Sequence, residues 1–223
     1  MTQILISVTS IAEAKIALDN GAEIIDLKDP SAGALGALPL PLIQTIVSYI
    51  NGQKLVSATI GDVAMQPDLI LPRVRLLAKA KIDYIKIGFF ESSDFQPCLD
   101  ALQAITEAGE QLIAVLFAEH TYPDDLILAI KKAGFIGIML DTATKNGHTF
   151  LDYYSEPRRK AFAQKVLALD LTFGLAGSLK LQHIAIAKEL NPTYMGFRGG
   201  VCDENKRELG LNADKIKAIS KVM

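Results

Sequence analysis

The chain has 223 residues, of which 50% are hydrophobic and 22% charged, and its formal net charge is −2. This composition is typical of a globular protein, and without a basic block it predicts no nucleic-acid partner and no membrane surface partner. The N-terminus lacks a secretory signal and no apolar run reaches the roughly 18 residues that span a bilayer. With two cysteines, Cys98 and Cys202, outside metal-ligand spacing, we expect a cytoplasmic protein in a reducing environment.

Short apolar or β-branched runs recur along the chain and predict eight strands. In chain order they are residues 4–8, 23–28, 55–60, 83–88, 112–117, 137–141, 172–177 and 194–200. Between them lie segments with helical periodicity, among them 10–21, 41–52 and 124–134.

Several of these helices carry start and stop signals. Ser10 and Asp124 are predicted N-caps, and Gly21, Gly52 and Gly134 follow the last periodic residue of their segments, where helices often end.

Eight strands that alternate with helices predict an α/β fold, a single (β/α)8 TIM barrel formed by residues 1–223. A doubly wound open sheet would show the same alternation. However, the first strand is followed by "TSIAEA" and not by the glycine-rich turn of a dinucleotide-binding fold, which favours the closed barrel.

Polar residues gather at the predicted carboxyl ends of the strands, where barrel active sites lie. Asp26 and Lys28 are two residues apart on one strand, so their side chains share a face. Lys86 lies inside a strand between apolar neighbours, and Asp141 ends the sixth strand. A buried ammonium needs a carboxylate partner, and we expect these four side chains to meet in one mouth, as a catalytic cluster or as a purely structural ion-pair network.

Two neighbouring lysines would change each other's basicity. If the nitrogens of Lys28 and Lys86 lie about 6 Å apart, their repulsion at an effective dielectric near 20 is roughly 3 kcal/mol, or about two pKa units. A partly neutral lysine can attack an aldehyde or ketone and form a Schiff base. The sequence therefore predicts imine chemistry, with carboxylates as proton carriers.

Glycine-bearing turns follow the last two strands, in "LAGSLK" and "FRGGVC". Loops after strands seven and eight form the usual phosphate site of a barrel, because exposed backbone N–H groups bind anions. We expect Gly177, Ser178, Gly199 and Gly200 to bind a substrate phosphate, with the Arg198 guanidinium as an additional cationic fork.

The runs "IIDLKDPSAGALGA", "LVSATIGD", "DYIKIG", "MLDTATKNGHTFLDY", "LAGSL" and "FRGGVC" together resemble the (5-formylfuran-3-yl)methyl phosphate synthase family, also called 4-(hydroxymethyl)-2-furancarboxaldehyde-phosphate synthase. The resemblance extends over most of the chain in the same order. It implies a barrel lyase that condenses two molecules of glyceraldehyde 3-phosphate, with loss of water and one phosphate, in the biosynthesis of methanofuran-type one-carbon carriers.

The resemblance also implies roles for individual residues. Lys28 matches the Schiff-base lysine and Lys86 the proton acceptor, while Asp26, Asp141 and Lys145 match further catalytic positions. It implies no cofactor. The match is poorer at "LFAEHTYPDD", which leaves Glu119 and His120 without a role and leaves open how the second substrate molecule is held.

Other functions remain open from the residues alone. A different Schiff-base aldolase acting on another phosphorylated aldehyde or ketone fits the same pattern, as does a barrel that binds a sugar phosphate for regulation. Three scattered histidines predict no metal site. Apolar positions in "PLIQTIVSYI" permit a homo-oligomer, without indicating a number of subunits.

Overall fold

The computed structural model describes residues 2–223. Its strands are β1 (Gln3–Val8), β2 (Ile24–Leu27), β3 (Leu55–Thr59), β4 (Tyr84–Gly88), β5 (Leu112–Phe117), β6 (Gly137–Asp141), β7 (Thr172–Leu175) and β8 (Tyr194–Phe197). Its α-helices are α1 (Ile11–Asp19), α2 (Leu40–Ile50), α3 (Pro67–Ala78), α4 (Gln96–Glu107), α5 (Leu126–Lys132), α6 (Phe150–Tyr153), α7 (Glu156–Leu167), α8 (Ile184–Lys188) and α9 (Ala213–Ser220).

The eight strands form a closed parallel barrel in chain order, in which β8 pairs with β1. Each predicted strand corresponds to an observed one, and the predicted (β/α)8 fold is confirmed. The observed β7 and β8 end earlier than predicted, at Leu175 and Phe197. The chain leaves β7 at Gly177, whose φ of +86° is compatible with a turn and not with a strand.

Side chains alternate along the strands between the helix layer and the barrel interior. Outward residues such as Ile25 and Ile87 are fully buried beneath the helices. Inside the barrel, apolar side chains including Ile113, Met139 and Tyr194 form a second cluster. Buried polar side chains, which include Asp26, Lys86 and Asp141, line the cavity at the carboxyl end of the strands.

The helix signals were correct except at one position. Ser10 is the N-cap of α1 and accepts a hydrogen bond from the Glu13 N–H, and the three glycines after helices have φ values of +105°, +73° and +83°. The prediction for Asp124 was wrong, because α5 begins one residue later, with Asp125 at the N-cap position. Among residues 2–223, no helix is both long and apolar enough to cross a membrane.

Candidate active site

Asp26 lies at the centre of the polar layer inside the barrel and is 1% exposed. The parallel register places Ser7 and Ser57 beside it on the two neighbouring strands. Their hydroxyls donate to Oδ2 and Oδ1 over 2.8 and 2.7 Å, and Lys86 Nζ lies 2.5 Å from Oδ1. Burial would raise the pKa of Asp26, but the ammonium groups of Lys86 and Lys28 outweigh it and hold the pKa below its ordinary value.

Asp141 forms the second ion pair of the site, with Lys145. Nζ of Lys145 lies 2.7 Å from Oδ1 of Asp141, which also accepts the Thr142 N–H over 2.7 Å. Burial opposes ionisation of Asp141, but the charges of Lys145 and Lys28 lower its pKa to about 2. Asp141 is therefore a carboxylate at neutral pH.

Lys28 is 8% exposed and differs from the other two lysines, because its ammonium forms no ion pair with any carboxylate among residues 2–223. Burial lowers its pKa to about 8. The charge of Asp141 raises the pKa of Lys28 and that of Lys145 lowers it. Smaller effects follow from Asp26, which raises this pKa, and from Lys86, which lowers it. About a tenth of such an amine is neutral at pH 7.

The lowered basicity of Lys28 has a different main cause from the one expected. Repulsion between Lys28 and Lys86 was predicted to dominate, whereas burial contributes most and Lys145 acts more strongly than Lys86. The physical reason is that Lys28 is only 8% exposed, so its ammonium loses most of its hydration, which disfavours the charged form. All three lysines and both carboxylates nevertheless line one cavity.

The loop after β2, which follows Lys28, is fixed by a carboxylate from the loop after β3. Asp62, after β3, accepts the N–H groups of Ala34 and Leu35 over 2.8 and 2.7 Å, which fixes the loop after β2 (residues 29–37). A carboxylate that accepts backbone N–H groups of another loop cannot be recognised from the sequence, where it is only a polar residue near the end of a strand.

Glu119, which had no role from the sequence, fixes the loop after β6. Its carboxylate accepts the N–H groups of Ala143 and Thr144 over 3.0 and 2.8 Å, directly before Lys145. The neighbouring His120 packs its ring near Phe117, at 5.4 Å between centroids. Glu119 is therefore a positioning residue for the Lys145–Asp141 pair.

The turns after β7 and β8 bring the four predicted phosphate-binding backbone positions to the same cavity. The N–H groups of Gly177, Ser178, Gly199 and Gly200 donate to no acceptor among residues 2–223. The two turns are in close contact, because a Cβ on Gly200 would lie 2.2 Å from the Leu179 carbonyl oxygen. We call these four N–H groups the amide cradle.

Arg198 does not have the arrangement that the sequence suggested, since all five of its N–H donors bond within the protein. Nη1 and Nη2 donate to the Glu13 carboxylate over 2.6 and 3.1 Å. The remaining donors bind carbonyl oxygens of Ser7, Arg207 and Leu209. The expected cationic fork is therefore already bonded within the protein, and this side chain joins the loop after β8 to α1 and β1.

The cavity that contains the lysines and the amide cradle has a volume of about 280 Å³. Seven cationic side chains line it against three anionic ones. Such an excess of positive charge in a concave site favours an anionic ligand.

Replacement of Lys28 by methionine should stabilise the fold at neutral pH. The folded-state pKa of about 8 lies below the ordinary 10.5, so the folded protein binds this proton more weakly than the unfolded chain does. The charged Lys28 therefore lowers the free energy of unfolding by about 3 kcal/mol. This loss of stability has its full size below pH 8 and disappears as pH rises toward 10.5. In denaturant unfolding, the free energy of unfolding of Lys28→Met should exceed that of the wild type at pH 7. The difference between the two should narrow toward pH 10.

The exposed Lys15→Met variant is the matched control and should show no such pH-dependent difference. A Lys28→Met protein that is less stable than the wild type at pH 7 would contradict the assignment of an unpaired buried ammonium.

Removal of the Arg198 side chain should destabilise the protein. Arg198→Met leaves the Glu13 carboxylate, 11% exposed, without its partner, and breaking a buried ion pair in this way costs about 3–5 kcal/mol. The double variant with Glu13→Gln should recover part of the loss, as measured by chemical denaturation. An unfolding free energy of Arg198→Met within about 1 kcal/mol of the wild type would show that the ion pair is not a structural clamp.

The chain is similar to known proteins over nearly its whole length. The model of the 4-HFC-P synthase family matches residues 4–220. A Methylorubrum extorquens protein is 36% identical over 96% of this chain and 88% of its own length. The (5-formylfuran-3-yl)methyl phosphate synthases of Methanococcus maripaludis strain C7 and Methanocaldococcus jannaschii are 35% and 30% identical, each over 98% of both chains.

Among solved structures, phosphoribosyl anthranilate isomerase from Thermus thermophilus has a TM-score of 0.70 at 16% identity, covering 99% of this chain and 97% of its own. The 3-hexulose-6-phosphate synthase from Salmonella typhimurium has a TM-score of 0.68 at 17% identity, covering 99% and 98%. At this identity the likeness concerns the fold alone. The match of the family model over nearly the whole length decides the family: the chain belongs to the 4-HFC-P synthase family.

Proposed function

We propose that the protein is a lyase that condenses two molecules of glyceraldehyde 3-phosphate into (5-formylfuran-3-yl)methyl phosphate, with loss of one phosphate and water, through a Schiff base on Lys28. The observation that carries this proposal is the unpaired, buried amine of Lys28 beside two lysines that each have a carboxylate partner. The names of the family and of its relatives support the product.

The first step follows from the basicity of Lys28. Its neutral amine attacks the aldehyde carbon of one triose phosphate, and the carbinolamine loses water to give a protonated imine. The imine withdraws electrons from the neighbouring carbon, so that a proton can leave this carbon. The resulting carbanion equivalent forms the carbon–carbon bond to the aldehyde carbon of the second triose.

The two ion pairs are suited to move protons during these steps. Lys86 with Asp26 and Lys145 with Asp141 each place an ammonium donor against a carboxylate acceptor, at 2.5 and 2.7 Å. Loss of water and of phosphate requires protonation of leaving oxygens and removal of protons from carbon. We assign Lys86 as the principal proton acceptor, which becomes able to take a proton from carbon after its ammonium has passed one to Asp26 or to a leaving oxygen, and the Lys145 pair as the second proton carrier.

A phosphorylated small molecule fits the remainder of the cavity. The amide cradle offers four N–H donors that lack acceptors among residues 2–223, and the surrounding cationic side chains provide the charge complement of a phosphate. We place this reaction in the cytoplasm, in keeping with two buried, unbridged cysteines, and in the biosynthesis of methanofuran-type carriers.

Trapping of the imine tests the proposal directly. Incubation with glyceraldehyde 3-phosphate and borohydride should add a reduced triose phosphate to Lys28, as located by peptide mass spectrometry, and should inactivate the enzyme. Lys28→Met should gain no adduct, whereas Lys15→Met, changed on the exposed face of α1, should react like the wild type. Adduct on another lysine, or a product without furan absorbance, would overturn the proposed reaction.

The pH dependence of imine formation should follow the lowered pKa of Lys28. The amine becomes neutral as pH rises through about 8, so the rate of trapping should increase about tenfold between pH 6 and 7 and level off above pH 9. Lys145→Met should move the midpoint upward, because it removes a charge that lowers this pKa and leaves Asp141 to raise it. An unchanged midpoint in Lys145→Met would contradict this electrostatic coupling.

A further inference from the structure

Arg207 lies beside the amide cradle but has a different environment. Its main chain is next to Gly199, from whose Cβ position the Cβ of Arg207 would be 3.8 Å away. From the loop after β8, the side chain reaches across the mouth to the loop after β2, where Nη2 donates to the Gly33 carbonyl oxygen over 2.7 Å. Arg207 therefore stands between the cradle and the loop that follows Lys28.

Most of the hydrogen-bonding capacity of Arg207 is unused. The Gly33 bond is the one hydrogen bond that its side chain forms with residues 2–223, and Nε is buried without a partner. The nearest carboxylate oxygen to Nε, from Glu208, is 3.9 Å away, beyond hydrogen-bonding distance. A buried N–H without an acceptor destabilises the fold unless a ligand or water accepts its hydrogen bond.

The two arginines of the cavity thus have opposite roles. Arg198 uses all five donors within the protein, whereas Arg207 presents a planar fork toward the cavity that it lines. Its side chain is 16% exposed, so its charge is partly shielded from bulk water. Such a fork is suited to bidentate binding of a phosphate.

The proposed reaction supplies a reason for a second phosphate position. Two phosphorylated trioses must be present together before the carbon–carbon bond forms, and the amide cradle accounts for one phosphate. Two phosphate groups cannot share four N–H donors without strong repulsion between their charges.

We propose that Arg207 binds the phosphate of the second triose phosphate, at a subsite separate from the amide cradle. This inference rests on the proposed function, because it takes the two-triose reaction as given. In this role Arg207 sets the distance between the two substrate molecules and accounts for the donors that the protein leaves free.

Titration with inorganic phosphate tests the subsite without any chemistry on substrate. By calorimetry, the wild type should bind two phosphates per chain and Arg207→Met one, while Arg207→Lys should weaken the second site about tenfold or more, because an ammonium lacks the fork. Arg75→Met is the matched control, since Arg75 is an exposed arginine of α3 outside this cavity. It should keep both sites.

A second control separates ligand binding from loop position. Asp62→Asn weakens the hold on the loop after β2 but keeps the Arg207 guanidinium, so it should retain two phosphates. The inference is overturned if Arg207→Met binds as many phosphates as the wild type with unchanged affinity, or if Asp62→Asn loses the same site.

Kinetics and trapping distinguish failure of this inference from failure of the proposed function. Arg207→Met should lose about ten- to a hundredfold in kcat/KM for furan formation, yet should form the borohydride adduct at Lys28 like the wild type, because the first triose phosphate binds through the cradle. If the wild type forms no adduct at Lys28, the imine reaction is wrong. If Arg207→Met forms both the adduct and the furan product like the wild type, only the second phosphate subsite is wrong.

Discussion

Two ion pairs inside the barrel, Lys86 with Asp26 and Lys145 with Asp141, leave one lysine of the site without a carboxylate partner among residues 2–223. Asp26 accepts hydrogen bonds from Ser7 and Ser57 and pairs with Lys86, whereas Lys28, two residues further on, forms no ion pair within the part of the chain that the structure describes. Oδ1 of Asp141 accepts the Thr142 N–H and pairs with Lys145. The unpaired amine is thus a product of how the barrel distributes its few buried anions, and its reactivity follows from burial without a partner.

Contacts between loops help to build the mouth of the barrel. Asp62 binds backbone N–H groups of the loop after β2, Glu119 binds those of the loop after β6, and Arg207 bonds back to Gly33. Each contact fixes a segment that carries or adjoins a site lysine. Because backbone groups at loop positions otherwise bond to water, these side-chain partners convert flexible connections into a defined surface.

Much of the fold and of the catalytic layer could be predicted from the sequence, because both depend on local patterns. The eight strand runs follow from β-branched and apolar spacing, and the two-residue interval between Asp26 and Lys28 places both side chains inside the barrel. The purpose of Arg198 could not be predicted, since its partner Glu13 lies 185 residues away in the chain. The same holds for the unused donors of Arg207, which depend on where Glu208 points.

The bond between Arg198 and Glu13 has a consequence for how the chain reaches its final form. It joins the first and last repeating units across the seam where β8 meets β1, so neither residue finds its partner until nearly the whole polypeptide has been synthesised. Contacts of such long sequence separation form late and slowly. A nascent chain emerging from the ribosome would accordingly hold an open, incomplete sheet with an unprotected edge, and closure would be a post-translational event.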